Sequence, residues 1–298
     1  MPRTSRCLAF ALAAVAFVPA FGVSQQAPPA TDLWLAELAR DSDAWRLGAP
    51  KNLTDRDGYD NQPAFTADGA RLLYTAFHDG QTDVYELELA TATSRRVTAT
   101  AESEYSPTPY GDGTRFSTVR VEADGTQRLW SFAGDGSDPR LLAPEVRGVG
   151  YHAWLDARRL ALFVLGEPFT LRLLDLELGT AKTVAERIGR SIHRLPGSAA
   201  VTFVAPDGEG GDAAVFALDA DGSGRRRLAP APATVERDYA WTPDGVLLSA
   251  AGAKLYRLRP GVDADWIEFA DLAPHGIAHA SRLAVAPAGD RLVFVADR

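Results

Sequence analysis

Residues 62–74 read Gln62-Pro63-Ala64-Phe65-Thr66-Ala67-Asp68-Gly69-Ala70-Arg71-Leu72-Leu73-Tyr74. A short apolar run, an Asp-Gly turn and a second apolar run rich in strand formers together predict a tight β-hairpin. Comparable turns recur at Asp112-Gly113, Asp156-Ala157, Pro196-Gly197, Asp244-Gly245 and Ala288-Gly289, so the second turn residues are spaced by 44, 44, 40, 48 and 44 positions. The later turns are flanked in the same way, as by Val201-Thr202-Phe203-Val204 and Leu292-Val293-Phe294-Val295. A period of this size is the signature of a propeller or a solenoid.

Each hairpin is followed by a third alternating run: Val84-Tyr85-Glu86-Leu87, Leu129-Trp130-Ser131-Phe132, Leu171-Arg172-Leu173-Leu174, Val215-Phe216-Ala217-Leu218 and Leu255-Tyr256-Arg257-Leu258. A fourth run ends in Arg95-Arg96-Val97-Thr98 or Arg226-Arg227-Leu228. Four antiparallel strands per period make one propeller blade. There are six hairpins but only five downstream third strands, and the missing pair stands at the other terminus: Asp32-Leu33-Trp34-Leu35-Ala36-Glu37-Leu38 and Asn52-Leu53-Thr54. The expected fold is therefore all-β, a six-bladed β-propeller of four-stranded blades whose last blade is closed by N-terminal strands, an arrangement that leaves no open edge between first and last blades.

The units at residues 62–74 and at Tyr239-Ala240-Trp241-Thr242-Pro243-Asp244-Gly245 resemble the WD-like repeat of TolB-type propellers, and the likeness extends over residues 31–298. TolB proteins carry an α/β domain ahead of the propeller; in this sequence a short Pro-rich spacer, residues 25–30, stands there. The resemblance implies a periplasmic or secreted propeller whose channel mouth and loops bind a partner, an envelope protein or peptide or a small ligand. TolB-like oligogalacturonate lyases hold a metal on channel histidines, so it also implies an alternative, a metal-dependent carbohydrate lyase or hydrolase.

The N-terminus reads as a secretory signal over residues 1–24, with Arg3 and Arg6 ahead of an apolar run, residues 8–18, that is short for a membrane span. Cleavage after Ala20 or Ser24 fits the small residues there. Cys7, the one cysteine, lies inside that segment, so no disulfide is expected, and no other apolar stretch reaches transmembrane length. With 39 acidic against 31 basic residues the net charge is -8, and no stripe of Lys and Arg forms a phosphate-binding face, which argues against nucleic acid.

No G-x-S-x-G elbow, H-E-x-x-H, phosphate loop or paired Cys ligands occur, and no cofactor is expected. Asp219-Ala220-Asp221-Gly222-Ser223-Gly224 begins like a calcium loop, but its twelfth position is Pro230 and not Glu, so a Gly-rich turn is expected. Aligning the turns places His152 and His193 at the same position of consecutive units near the channel, with His279 slightly earlier in the sixth. Such histidines either contribute to a metal site, which needs three or more convergent ligands, or hydrogen-bond within their own blades. The strand entrances also carry Asp60, Asn61, Glu104, Tyr105, Tyr151, Arg190, Asp238 and Tyr239. With the three histidines they form the candidate binding surface, although Asp at such a place also caps turns. Trp34, Trp130, Trp154 and Trp241 recur at repeat positions and are expected in the core between blades. Trp45 and Trp266 fall outside that register, where exposed aromatics would mark a contact site.

Overall fold

A computed structural model describes residues 28–41, 44–234 and 237–298. The proposed signal and all but the end of the spacer lie outside the described residues. Six antiparallel sheets follow one another along the chain. Blade I is Asp60–Phe65, Arg71–His78, Gln81–Glu88 and Thr93–Arg96; blade II is Ser103–Tyr110, Arg115–Val121, Gln127–Ala133 and Arg140–Leu141. Blade III is Val149–Trp154, Arg159–Val164, Thr170–Asp175 and Thr180–Glu186; blade IV is Ile192–Arg194, Val201–Pro206, Ala213–Leu218 and Arg226–Pro230. Blade V is Ala240–Trp241, Leu247–Ala251, Lys254–Leu258 and Ile267–Asp271.

Blade VI joins the two ends of the chain. Its inner pair is Ala280–Val285 and Arg291–Asp297, and Thr31–Asp41 pairs along the outer side of the latter, with Thr31 opposite Asp297 and Glu37 opposite Arg291. Ala44–Leu47 and Lys51–Asn52 complete the sheet. The predicted blade count, strand content and closure are all present.

The alternating apolar pattern is consumed between blades. Second strands such as Arg159–Val164 and Val201–Pro206 are buried on both faces, since each blade is sandwiched by two neighbours. Six hydrophobic clusters result, each filling one interface: Phe116 and Phe132 meet Leu73 and Val84 between blades I and II, and Phe163 and Leu171 meet Val201 and Phe203 between III and IV. Leu33, Val293 and Val295 meet Leu72 and Leu87 where blade VI meets blade I, so the closing strand contributes to the ring core. Outer strands are polar; all four residues of Thr93–Arg96 are exposed.

The Asp219–Gly224 segment is a hairpin turn of blade IV, with Asp221 Oδ1 accepting from Ser223 N at 2.8 Å and Gly222 at φ 87°. Trp45 and Trp266 are half-buried, contrary to the exposed contact site anticipated for them: Trp45 packs on Phe269 at 5.7 Å between ring centres, and Trp266 donates to the Pro230 carbonyl at 3.2 Å. Among the described residues, no helix is long and apolar enough to cross a membrane.

Candidate functional site

The innermost strands of all six blades wall a central cavity of about 860 Å³. These strands run in the same direction along the ring axis, so residues late in each strand gather at one end of the channel and residues early in each strand at the other. The late end is aromatic and proline-rich, with Tyr110, Trp154, Trp241, Pro109, Pro243 and Pro287. Tyr110 and Trp154 stack with ring centres 4.0 Å apart and planes 12° from parallel. Both channel tryptophans anchor their indole N–H on the blade before them: Trp154 Nε1 donates to Ser117 Oγ at 2.8 Å, and Trp241 Nε1 to Thr202 Oγ1 at 3.0 Å. The aromatic faces are thereby held rigid, and these two residues, expected only in the core, line the channel as well.

The early end is polar, with Gln62, Ser106, Tyr151, Arg190, Asp238 and Arg282. Gln62, Ser106 and Arg282 occupy the same place in blades I, II and VI, each where the ladder register slips, and each has positive φ (54°, 55° and 50°). Left-handed backbone at non-glycine residues is unfavourable by about 1–2 kcal/mol apiece, and β-bulges of this kind re-aim side chains. Arg190 holds Asp238 bidentately, Nε to Oδ1 at 3.1 Å and Nη2 to Oδ2 at 2.7 Å. Arg282 Nη2 donates to Tyr151 Oη at 2.8 Å, and its Nε lies 3.8 Å from Asp238 Oδ2. Two guanidinium groups and one carboxylate leave this layer one positive charge in excess, inside a chain of net charge -8.

The histidines are not equivalent, which corrects the turn alignment. Leu155 N and Leu195 N are the equivalent donors across their turns, to Arg159 O and Ala200 O, and His152 stands three residues before the first whereas His193 stands two before the second. Counted along the ladders, His152 pairs with Leu162 and His193 with Thr202, one step apart in register. A one-residue step reverses the face of a strand side chain. His152 accordingly faces blade II, its Nε2 2.6 Å from Ser117 Oγ, while His193 lies against Tyr239 of blade V at 4.8 Å between ring centres, its Nε2 3.0 Å from Ser191 Oγ. Burial lowers the His152 pKa to about 3 and the His193 pKa to about 4, the latter against the pull of Asp238, so both are neutral at pH 7. Both line the channel, but His279 borders a separate cavity of about 240 Å³ with its Nδ1 3.2 Å from Asp297 Oδ2. Among the described residues, no three His, Cys, Asp or Glu side chains converge as a metal site would require.

Of the remaining candidates, Tyr151, Arg190, Asp238 and Tyr239 line the channel. Four others do not line it. Asp60 is buried beneath the N-terminal strand, taking Arg56 Nη2 at 2.5 Å and its carbonyl receiving Thr31 Oγ1 at 2.9 Å; burial raises its carboxyl pKa against the Arg56 contact. Asn61 Nδ2 donates to Thr31 Oγ1 at 3.3 Å, so both residues tie the closing strand to blade I. Glu104 is buried between blades I and II beside Thr100 and Arg120, its pKa pushed up to about 7 by burial. Tyr105 packs into the core between blades II and III. Sequence reasoning missed Arg282, Gln62 and Ser106. Their signal was the repeat itself: Arg282, Gln62 and Ser106 each precede their turn glycine, Gly289, Gly69 and Gly113, by seven residues.

No protein-family model matches the sequence, and no curated protein does either. Solved structures do match the fold. A putative TolB from Agrobacterium tumefaciens superposes with a TM-score of 0.69 at 14% identity, over 91% of this chain and 99% of that one. A gluconolactonase from Xanthomonas campestris gives 0.58 at 14% identity, over 92% and 99%, and an oligogalacturonate lyase in complex with manganese gives 0.54 at 13% identity, over 83% and 79%. Identities this low speak to architecture alone, and by that architecture the chain is a TolB-like six-bladed β-propeller.

Proposed function

We propose that this chain is an exported binding protein that receives an envelope protein, a peptide or a small ligand in its central channel. The observation that carries this reading is the channel itself, a cavity of about 860 Å³ with rigid aromatic and proline walls at one end and a charged polar layer at the other. Concave sites with an apolar lining and a few placed polar groups are what ligand pockets share, and aromatic walls offer contact area with little entropy to lose. Export is supported by the positive and apolar segments within residues 1–24. The TolB-like architecture is consistent with an envelope location.

A photoreactive residue placed at Thr108, in the channel wall, is compared with one at Leu178, 70% exposed away from the channel. Irradiation of producing cells is expected to yield a discrete adduct from position 108 only. Equal labelling from both positions, or none from 108, overturns the proposal. The reading as a metal-dependent lyase or hydrolase gains no support from the site: the three histidines are engaged separately, by Ser117, Ser191 and Asp297.

A further inference from the structure

We infer that Arg282 is the anchor for a carboxylate on the ligand, so that the channel takes acids whose charged end sits deep and whose apolar or planar body lies along Trp154 and Trp241. The inference rests on the channel reading above and names the chemistry of its ligand.

Arg190 and Arg282 are not alike. Arg190 and Asp238 form a bidentate pair that satisfies both partners. Arg282 has five N–H groups, but its partners among the described residues are one neutral hydroxyl at 2.8 Å and the edge of that same carboxylate at 3.8 Å. Its guanidinium carbon also lies 5.0 Å from the centre of the Tyr151 ring, which holds the cation in place without neutralising it. The nearby Tyr59 phenol does not neutralise it either, since burial raises that pKa above its ordinary value even against the Arg282 charge. A planar guanidinium with donors unspent, 20% exposed to a cavity, is suited to receive a carboxylate in parallel hydrogen bonds.

Two further features converge on the same place. Ser106 Oγ, in the same polar layer, is buried with no hydrogen-bond partner, so the layer beside Arg282 is not satisfied by the protein alone. Arg282 itself is held at φ 50°, a backbone state unfavourable for a long side chain and one that accumulates at ligand-binding positions. The aromatic end lies in line with this layer along the same channel, so one molecule can meet both.

The test uses the full chain and four probes in calorimetric titrations: N-acetyl-phenylalanine and its amide, and glucuronate and glucose. The two acids stand for a peptide C-terminus and a sugar acid, and each neutral partner keeps the shape without the charge. At least one acid is expected to bind tenfold or more tightly than its neutral partner. Arg282→Gln should abolish that preference; glutamine already occupies the equivalent left-handed position as Gln62, so the backbone accepts it. Asp238→Asn should move in the opposite direction and tighten the acid, an outcome that loss of folding cannot imitate. Equal binding of acid and neutral partner, no binding by any probe, or a preference that survives Arg282→Gln overturns the inference. A channel adduct from position 108 with no acid preference would sink the anchor alone; the absence of that adduct would sink the channel reading beneath it.

Discussion

Arg282 Nη2 donates to Tyr151 Oη at 2.8 Å across 131 residues of sequence, joining blades VI and III, which stand opposite each other in the ring. The bond therefore spans the channel. Tyr151→Phe removes one hydrogen bond to a charged donor and keeps the ring under the guanidinium. The expected loss is about 1–2 kcal/mol of unfolding free energy in urea titration. A loss well beyond that would mean that the bridge supports the ring as a whole.

Glu104 sets one arm of the pH dependence. Its folded pKa, pushed up by burial to about 7, lies above the ordinary value of 4.5, so the folded state holds a proton that the unfolded state has released between those values. Its contribution is fully present below about pH 4.5 and is lost as pH rises toward 7. Glu104→Gln should raise stability at pH 8 by up to roughly 3 kcal/mol relative to its effect at pH 4.5, read from denaturation midpoints at the two pH values. A variant whose stability difference from the parent does not change with pH would rule this out.

His152 acts in the other direction. A folded pKa of about 3 against 6.5 means the unfolded state binds the extra proton, so the contribution is present above pH 6.5 and lost as pH falls. His152→Gln should flatten the acid limb between pH 6.5 and 4 by about one proton, or about 1.4 kcal/mol per pH unit. Parallel stability curves for parent and variant in that range would contradict the assignment.

The closing strand should behave as core. Leu33, fully buried between blades VI and I, is expected to cost about 2–5 kcal/mol when changed to Ala, as other buried leucines do, although it lies near the start of the described chain. Chemical denaturation tests this directly, and a cost below about 1 kcal/mol would mean that the strand is dispensable to the ring.

Gly136 tests the contact between blades I and II. A Cβ there would lie 1.9 Å from the Val97 carbonyl oxygen, on a backbone with φ 84°. Gly136→Ala should destabilise by more than about 2 kcal/mol from strain and clash together, lowering the thermal midpoint by several degrees. Gly125, with φ 80° and nothing near its Cβ position, is the control and should lose less on the same substitution.

The number of blades, the strands within each and the closure by residues 31–52 were legible in the sequence. They follow from a covalent repeat: hairpins at intervals near 44 residues must form in place, and the unpaired third and fourth runs at the N-terminus have one sheet left to complete. Which way each inner side chain faces was not legible. Strand faces alternate residue by residue, so an offset of one residue relative to their turns sends His152 toward blade II and His193 toward blade V. Bulges at Gln62, Ser106 and Arg282 re-aim side chains by the same logic. Asp60 and Asn61, which the sequence placed at the channel mouth, hold the closing strand, because ring closure brings Thr31 beside them. The meeting of Tyr151 with Arg282 depends on ring closure in the same way, since no local rule couples residues of opposite blades until the sixth blade has docked on the first.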